Sequence, residues 1–226
     1  MKNYVFFFFL MLFGIKMAFS QDWANLKRYQ EANSKLSTQN ISQRVVFMGN
    51  SITEGWSNIK PEFFENKPYI NRGISGQTTP QMLLRFKQDV IELKPAVVVI
   101  LAGINDIAGN TGPSTIDMIF DNIISMVELA KTNNIKVVLC SVLPAKDFPW
   151  RPGLDPAEKV VKLNKLLQSY AEENHLVYVD YFSAMVDDEN GLRAELGADG
   201  VHPNALGYSI MEAILEGALL TALKQD

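Results

Sequence analysis

The sequence predicts an α/β protein, a three-layer α/β/α sandwich around a five-stranded parallel sheet. Two observations carry this. Short β-branched runs ended by glycine or polar residues alternate with longer segments of helical period, with no internal repeat or low-complexity stretch. The run over 96–101 is apolar throughout, as a strand covered on both faces should be.

Taken in order, the first twenty residues have the features of a secretory leader. Lys2 precedes an unbroken apolar run from Tyr4 to Phe13, and Ala18-Phe19-Ser20 supplies small residues before Gln21. The run is shorter than the roughly 20 apolar residues a bilayer requires, and Gly14 and Lys16 interrupt its end. Cys140 is the sole cysteine, so a lipid anchor on a cysteine after the run is not available, nor is an intrachain disulfide. The expectation is export to the periplasm or medium, with residues 21–226 forming one domain and no stable membrane insertion after cleavage. A helix is expected at about 22–40, packed on the body of the domain.

Strands are expected at 44–48, 69–71, 96–101, 137–142 and 176–179. Thr79-Pro80 opens a helix with Leu83, Phe86 and Val90 inward. Ile116, Ile119, Phe120, Ile123, Ile124, Val127 and Ala130 fall on one face of another. Asp155 is expected to cap a third, with Pro156 at its first position, Glu158 completing the cap, and Val160, Leu163, Leu167 and Tyr170 buried. Pro203 opens a last helix running to about Leu223. Right-handed crossovers between parallel strands then place helices on both sheet faces.

Without the leader the chain has 19 basic and 25 acidic residues, a net charge of about −6 that argues against nucleic acid as a partner. Two histidines and one cysteine cannot assemble the usual zinc sites, and neither H-E-x-x-H nor a P-loop is present, so no metal or organic cofactor is expected.

Ligands of open parallel sheets bind beyond the carboxyl ends of the strands. There the sequence places Gly49-Asn50-Ser51-Ile52-Thr53, then Asn71-Arg72-Gly73-Ile74-Ser75-Gly76, Gly103-Ile104-Asn105-Asp106, and finally Asp199-Gly200-Val201-His202-Pro203. A serine hydroxyl is a poor nucleophile until an imidazole takes its proton, and an acid must orient that imidazole. Ser51, His202 and Asp199 supply these types. His175 is the rival histidine, expected at the surface near a helix end, and Asp180, Asp187 and Asp188 are rival acids. A developing oxyanion needs fixed donors, for which the Ser51 and Gly76 N–H groups and the Asn105 amide are the candidates. Asp106 is expected to stabilise its own loop.

At these residues the chain resembles the SGNH (GDSL-type) hydrolase family, whose four blocks are matched in order by Gly49-Asn50-Ser51-Ile52, Gly76, Gly103-Ile104-Asn105-Asp106 and Asp199-Gly200-Val201-His202. The resemblance spans roughly residues 41–215. It implies a flavodoxin-like hydrolase fold, a Ser51, His202, Asp199 triad, and an oxyanion hole from Ser51, Gly76 and Asn105. The stretch from Val46 to Trp56 is similar to the branch holding platelet-activating-factor acetylhydrolase catalytic subunits and bacterial acetylesterases. Asn50 departs from the aspartate frequent in the first block, keeping a hydrogen-bonding oxygen but losing charge. No G-x-S-x-G elbow is present, which argues against the larger α/β-hydrolase fold.

Trp56, and Trp150 and Arg151 within Phe148-Pro149-Trp150-Arg151-Pro152, are expected at the rim, where substrate contact competes with plain packing. The function expected is two-step hydrolysis of short acyl esters, with acetyl groups on carbohydrate as the substrate the aromatic rim would suit. The rivals are a lysophospholipase or thioesterase acting on longer chains, and a sugar-binding module that does not turn over.

Overall fold

The computed structural model describes residues 22–36 and 41–224. The expected leader lies outside them, as does the end of the expected first helix. Five strands, β1 (Val45–Gly49), β2 (Tyr69–Gly73), β3 (Val97–Ile100), β4 (Lys136–Cys140) and β5 (Val177–Val179), pair in parallel in the order β2-β1-β3-β4-β5. The chain reverses its direction of winding between β1 and β3, and in such sheets the crevice at the reversal is where ligands bind. Registers Gly49↔Gly73, Met48↔Ile100 and Cys140↔Val179 align the carboxyl ends along one edge.

Successive residues of a strand point to opposite faces, and the sheet buries both. Val46, Met48, Val98, Ile100, Val137 and Leu139 enter one apolar cluster, while Val45, Phe47, Val97, Val99, Val138 and Cys140 enter the other. Helices α3 (Thr79–Asp89), α5 (Ile116–Thr132) and α6 (Pro156–Glu173) cover the first face through Phe86, Ile119, Ile123, Leu163 and Leu167. Helices α2 (Ser51–Ile59), α7 (Tyr181–Met185) and α8 (Ala205–Lys224) cover the second. Tyr208, Met211, Leu215, Leu219 and Ala222 recur along α8 at spacings of three and four, which makes one buried stripe of an otherwise apolar helix. A single turn of helix, α4 (Ile104–Ile107), follows β3.

Three expectations are corrected. The helix at 22–40 shrinks to α1 (Gln30–Ser34). Upstream, Asn25 takes left-handed angles (φ 54°), and the carbonyls of Trp23, Ala24 and Leu26 accept from the side chains of Gln81 (2.6 Å), Gln77 (2.7 Å) and Gln88 (2.5 Å). Carbonyls engaged by glutamines of the body, in a chain turned by Asn25, do not build a helical ladder. The segment is instead a strap, held further by Arg72 on the Asn33 Oδ1 and by the Tyr29 hydroxyl on the Gly73 carbonyl.

Asp155 does not cap α6. Its φ of 45° lies outside the extended region an N-cap needs, and its side chain accepts no hydrogen bond from the helix.

Trp56 is not at the rim. It is 2% exposed, stacked between Phe63 (5.0 Å) and Tyr208 (5.5 Å), with its indole N–H donating to Glu212 at 3.0 Å. Five residues after Ser51 on α2, it has rotated from the sheet edge into the core. Trp56→Ala should therefore lower stability by about 3–5 kcal/mol in denaturant titrations while leaving the KM for a soluble ester unchanged; a raised KM at intact stability would return it to the substrate side.

Candidate active site

The turn from β1 into α2 is tight. A Cβ on Gly49 would lie 1.9 Å from the Thr53 Oγ1 and 3.0 Å from the Leu101 carbonyl oxygen, so only glycine lets the strand pass directly into the helix. Ser51 is thereby the first residue of α2, where helix N–H groups are unpaired and the dipole favours negative charge. The hydroxyl of Tyr208 on α8 donates to the Ile52 carbonyl at 2.8 Å and holds this end of the helix down.

The loop before α8 brings in the imidazole. Asn204 donates its backbone N–H to the Leu196 carbonyl (2.7 Å) and its amide to the Glu195 carbonyl (2.8 Å), while its Oδ1 accepts from Leu206 and Gly207 at the start of α8. So anchored, His202 sets Nε2 2.9 Å from the Ser51 Oγ and Nδ1 2.7 Å from the Asp199 Oδ2. The other Asp199 oxygen accepts from the N–H groups of Val201 (3.0 Å) and His202 (2.7 Å). Burial would raise this carboxyl, but the bonds from His202 and Val201 outweigh it and hold Asp199 below its ordinary value. An ionised acid, an imidazole held in one tautomer and a hydroxyl thus lie in one hydrogen-bonded line, the geometry by which a serine becomes a nucleophile.

The oxyanion candidates follow three adjacent strands at the same sheet edge, Ser51 after β1, Gly76 after β2 and Asn105 after β3. Asn105, on α4 and 4% exposed, donates its amide to the Gln77 carbonyl at 2.9 Å. Gly76 has φ 77°, and a Cβ there would meet nothing, so the backbone angle rather than space calls for glycine. Its carbonyl accepts from the Asn110 amide at 3.1 Å. Among the described residues the N–H groups of Ser51 and Gly76 have no acceptor.

Asn50 is 1% exposed, and its Oδ1 has no hydrogen-bond partner among the described residues. A carboxylate there would be a buried charge without a donor, so the neutral amide is the less costly side chain beside Ser51.

The remaining candidates separate. Trp150 is 47% exposed with its ring 5.8 Å from that of His202. Arg151 donates to the carbonyls of Ala108 (2.7 Å) and Gly109 (2.9 Å), and so braces the loop after β4 against the loop after β3. His175 is exposed in the turn after α6, remote in role from this line of bonds. Asp106 bonds across the edge rather than within its own loop: it accepts from the Thr79 N–H at 3.0 Å and the Thr79 hydroxyl at 2.6 Å, which fixes the start of α3. Among the described residues no group of three His, Cys, Asp or Glu is placed to hold a metal ion.

Sequence reading passed over Gln77, Arg85 and Asn110. A lone glutamine after a glycine carries no pattern, and an arginine on the core side of a helix gives no sign of what it bonds.

The profile of the GDSL-like lipase/acylhydrolase family matches residues 47–210. This chain belongs to that family. A GDSL-like lipase from Bacteroides thetaiotaomicron VPI-5482 is 51% identical, with a TM-score of 0.86 over 88% of this chain and 98% of that one. Esterase TesA of Pseudomonas aeruginosa is 26% identical over 181 residues, 74% of this chain and 83% of that protein. Platelet-activating factor acetylhydrolase IB subunit alpha2 of Rattus norvegicus is 26% identical over 172 residues, 73% of this chain and 71% of that one. As a GDSL-like acylhydrolase the chain is a carboxylic ester hydrolase, and its five-stranded parallel sheet is the fold of its relatives.

Burial pushes the Asp106 carboxyl up to about 6, against the lowering effect of its bonds from Thr79. Because the folded value is the higher, the protonated form is favoured on folding, and this contribution is present below the ordinary value near 3.8 and lost as pH rises through about 6. Asp106→Asn should gain stability relative to the parent by about 1–3 kcal/mol between pH 4 and pH 7 in denaturant titrations; a difference that stays flat over that window would contradict the assignment.

Proposed function

We propose that this GDSL-like acylhydrolase is a serine esterase that removes acetyl and other short acyl groups from a hydroxylated alcohol, with O-acetylated carbohydrate as the substrate class. The observation that carries the reading is the line from the Ser51 Oγ through His202 to Asp199, with separations of 2.9 and 2.7 Å. In the first step Ser51 attacks the ester carbonyl while the His202 Nε2 takes the hydroxyl proton. The carbonyl oxygen becomes an oxyanion received by the N–H groups of Ser51 and Gly76 and the Asn105 amide. His202 then returns the proton to the alcohol oxygen as the C–O bond breaks, leaving Ser51 acylated. Water, activated by the same imidazole, adds to the acyl-enzyme and releases the carboxylic acid.

The alcohol must leave beside His202, since its proton comes from there. On that side a groove of about 520 Å³ runs past Asp199 and Gly200 and is lined by the charged Lys146, Asp147, Asp155 and Asp187 and by the apolar Pro149 and Leu192. The charged side chains suit hydroxyl groups better than a lipid tail, which supports a sugar or other polyol over the longer-chain lysophospholipid or thioester. The exposed Trp150 ring next to His202 offers an apolar face on which a sugar ring can rest. The name of the rat relative, an acetylhydrolase, supports a short acyl group. The charged and apolar features of residues 1–20 support action outside the cytoplasm after cleavage of the leader.

The experiment is hydrolysis of p-nitrophenyl esters from acetate to decanoate by the purified chain beginning at Gln21, beside its Ser51→Ala variant. Turnover that prefers acetate and disappears in the variant is expected, and acetylated xylo- and cello-oligosaccharides should then be consumed with release of acetate. Preference for decanoate would favour the longer-chain reading, and sugar binding without turnover would favour a binding module. Asn105→Ala should lower kcat by roughly 10²–10³-fold with the fold intact; an unchanged kcat would remove Asn105 from the oxyanion hole.

A further inference from the structure

The three oxyanion candidates lie on separate segments, after β1, after β2 and after β3, and beyond the end of β2 the first two are tied by the bond from the Ile74 N–H to the Gly49 carbonyl at 3.2 Å. One buried residue, through its main chain and through Arg85, is linked to the surroundings of all three. Gln77 is 3% exposed. Its own N–H continues the peptide from Gly76, and its carbonyl receives the Asn105 amide at 2.9 Å. Its side-chain oxygen accepts from the Arg85 Nε at 2.6 Å, and Arg85, 0% exposed, donates on to the Gly49 carbonyl (2.9 Å), two residues before Ser51, and to the Arg72 carbonyl (2.8 Å) at the end of β2. The Gln77 side-chain nitrogen donates to the Ala24 carbonyl of the N-terminal strap at 2.7 Å. From the outside, Glu54 on α2 accepts from the N–H and hydroxyl of Ser75 in the same turn.

A turn of this kind has freedom to swing unless something within it is fixed. Its one internal main-chain bond, from the Gln77 N–H to the Ile74 carbonyl, is long at 3.3 Å. The Gln77 side chain is clamped on both of its polar atoms, and with it the peptide whose carbonyl holds Asn105 and whose nitrogen side adjoins Gly76. We propose that Gln77 is a positioning residue of the oxyanion hole, held between Arg85 and the Ala24 carbonyl of the strap, and that it sets the aim of the Asn105 amide and the Gly76 N–H. Gln77 does not touch the reacting atoms. It acts through its neighbours, so its removal raises the barrier of the chemical step and leaves binding of the ground-state ester alone.

The inference rests on the oxyanion assignment of the proposed function, and one experiment separates the two. Steady-state kinetics on p-nitrophenyl acetate are measured for the parent, Gln77→Ala, Gln77→Glu, Asn105→Ala and the Gln77→Ala/Asn105→Ala double variant. Misplacement of a catalytic group by about 1 Å costs on the order of 10²-fold, so Gln77→Ala is expected to lose roughly 10–100-fold in kcat with KM within about twofold. Gln77→Glu keeps the acceptor for Arg85 but loses the donor to the Ala24 carbonyl, so it should recover part of that rate and remain below the parent. In the Asn105→Ala background one of the two donors it aims is gone and only the Gly76 N–H remains to be misplaced, so the further loss should be clearly smaller than the loss in the parent background. A Gln77→Ala kcat within twofold of the parent, a loss confined to KM, or the full loss repeated in the Asn105→Ala background would each overturn the proposal. Should the alanine variant fail to fold, Gln77→Met, which keeps the volume but offers neither donor nor acceptor, is read by the same criteria; if that also fails to fold, Gln77 serves the fold and the positioning role falls. An Asn105→Ala enzyme of undiminished rate would bring down the oxyanion assignment itself, whereas a slow Asn105→Ala enzyme beside Gln77 variants at full rate would bring down only the role of Gln77.

Discussion

A guanidinium sealed from water has to find acceptors within the protein, and the placement of Arg85 organises much of what surrounds it. Its nitrogens meet the carbonyls of Gly49 and Arg72, the side chain of Gln77 and the carboxylate of Asp89, the last at 3.1 Å with both partners fully buried. Burial pulls the arginine below its ordinary value and Asp89 works against that loss. A pair of this kind adds little net stability, because the desolvation of two charges consumes most of the attraction between them. Its consequence is geometric. The ends of two strands and the turn after the second are bonded to one rigid, planar fork, and a fork of fixed shape transmits position better than a flexible chain.

The sheet supplies the rest of the convergence. In the order β2-β1-β3-β4-β5, the chain after β1 and the chain after β3 diverge to opposite faces, so Ser51 begins a helix on one face while Asn105 turns toward the other. In sheets of this kind ligands bind in the opening between them. His202 enters from a loop 151 residues further along the chain, set by the bonds of Asn204 rather than by any strand. Asn105 is buried, whereas Gly76 is exposed in the turn after β2. Beyond Asp199 the groove is lined by the charged side chains of Lys146, Asp147, Asp155 and Asp187 together with Pro149 and Leu192.

The N-terminal strap joins this arrangement to the beginning of the described chain. Three glutamines of the body, Gln77, Gln81 and Gln88, donate to three of its carbonyls, and Asn33 links the strap to both Arg72 and Asp89. Chain ends are ordinarily the least ordered part of a domain unless something holds them. Here the bonds fall on α3 and on the turn before it.

Much of this was legible in the order of residues. Alternation of apolar positions set every strand within two residues of its place, since a strand buried on both faces tolerates little else, and the apolar stripe of 116–130 set α5. The family blocks pointed to Ser51, Asp199 and His202, which the structure brings into one line of hydrogen bonds, and offered Gly76 and Asn105 as candidates. What tertiary structure alone decided are the matters that depend on a neighbour distant in sequence. Trp56 lies in the core because Phe63 and Tyr208 stack on it, and the segment from residue 22 is a strap because glutamines 53 to 62 residues away engage its carbonyls. Local propensity is weak against such bonds, and a polar side chain carries no mark in the sequence of the partner it will meet.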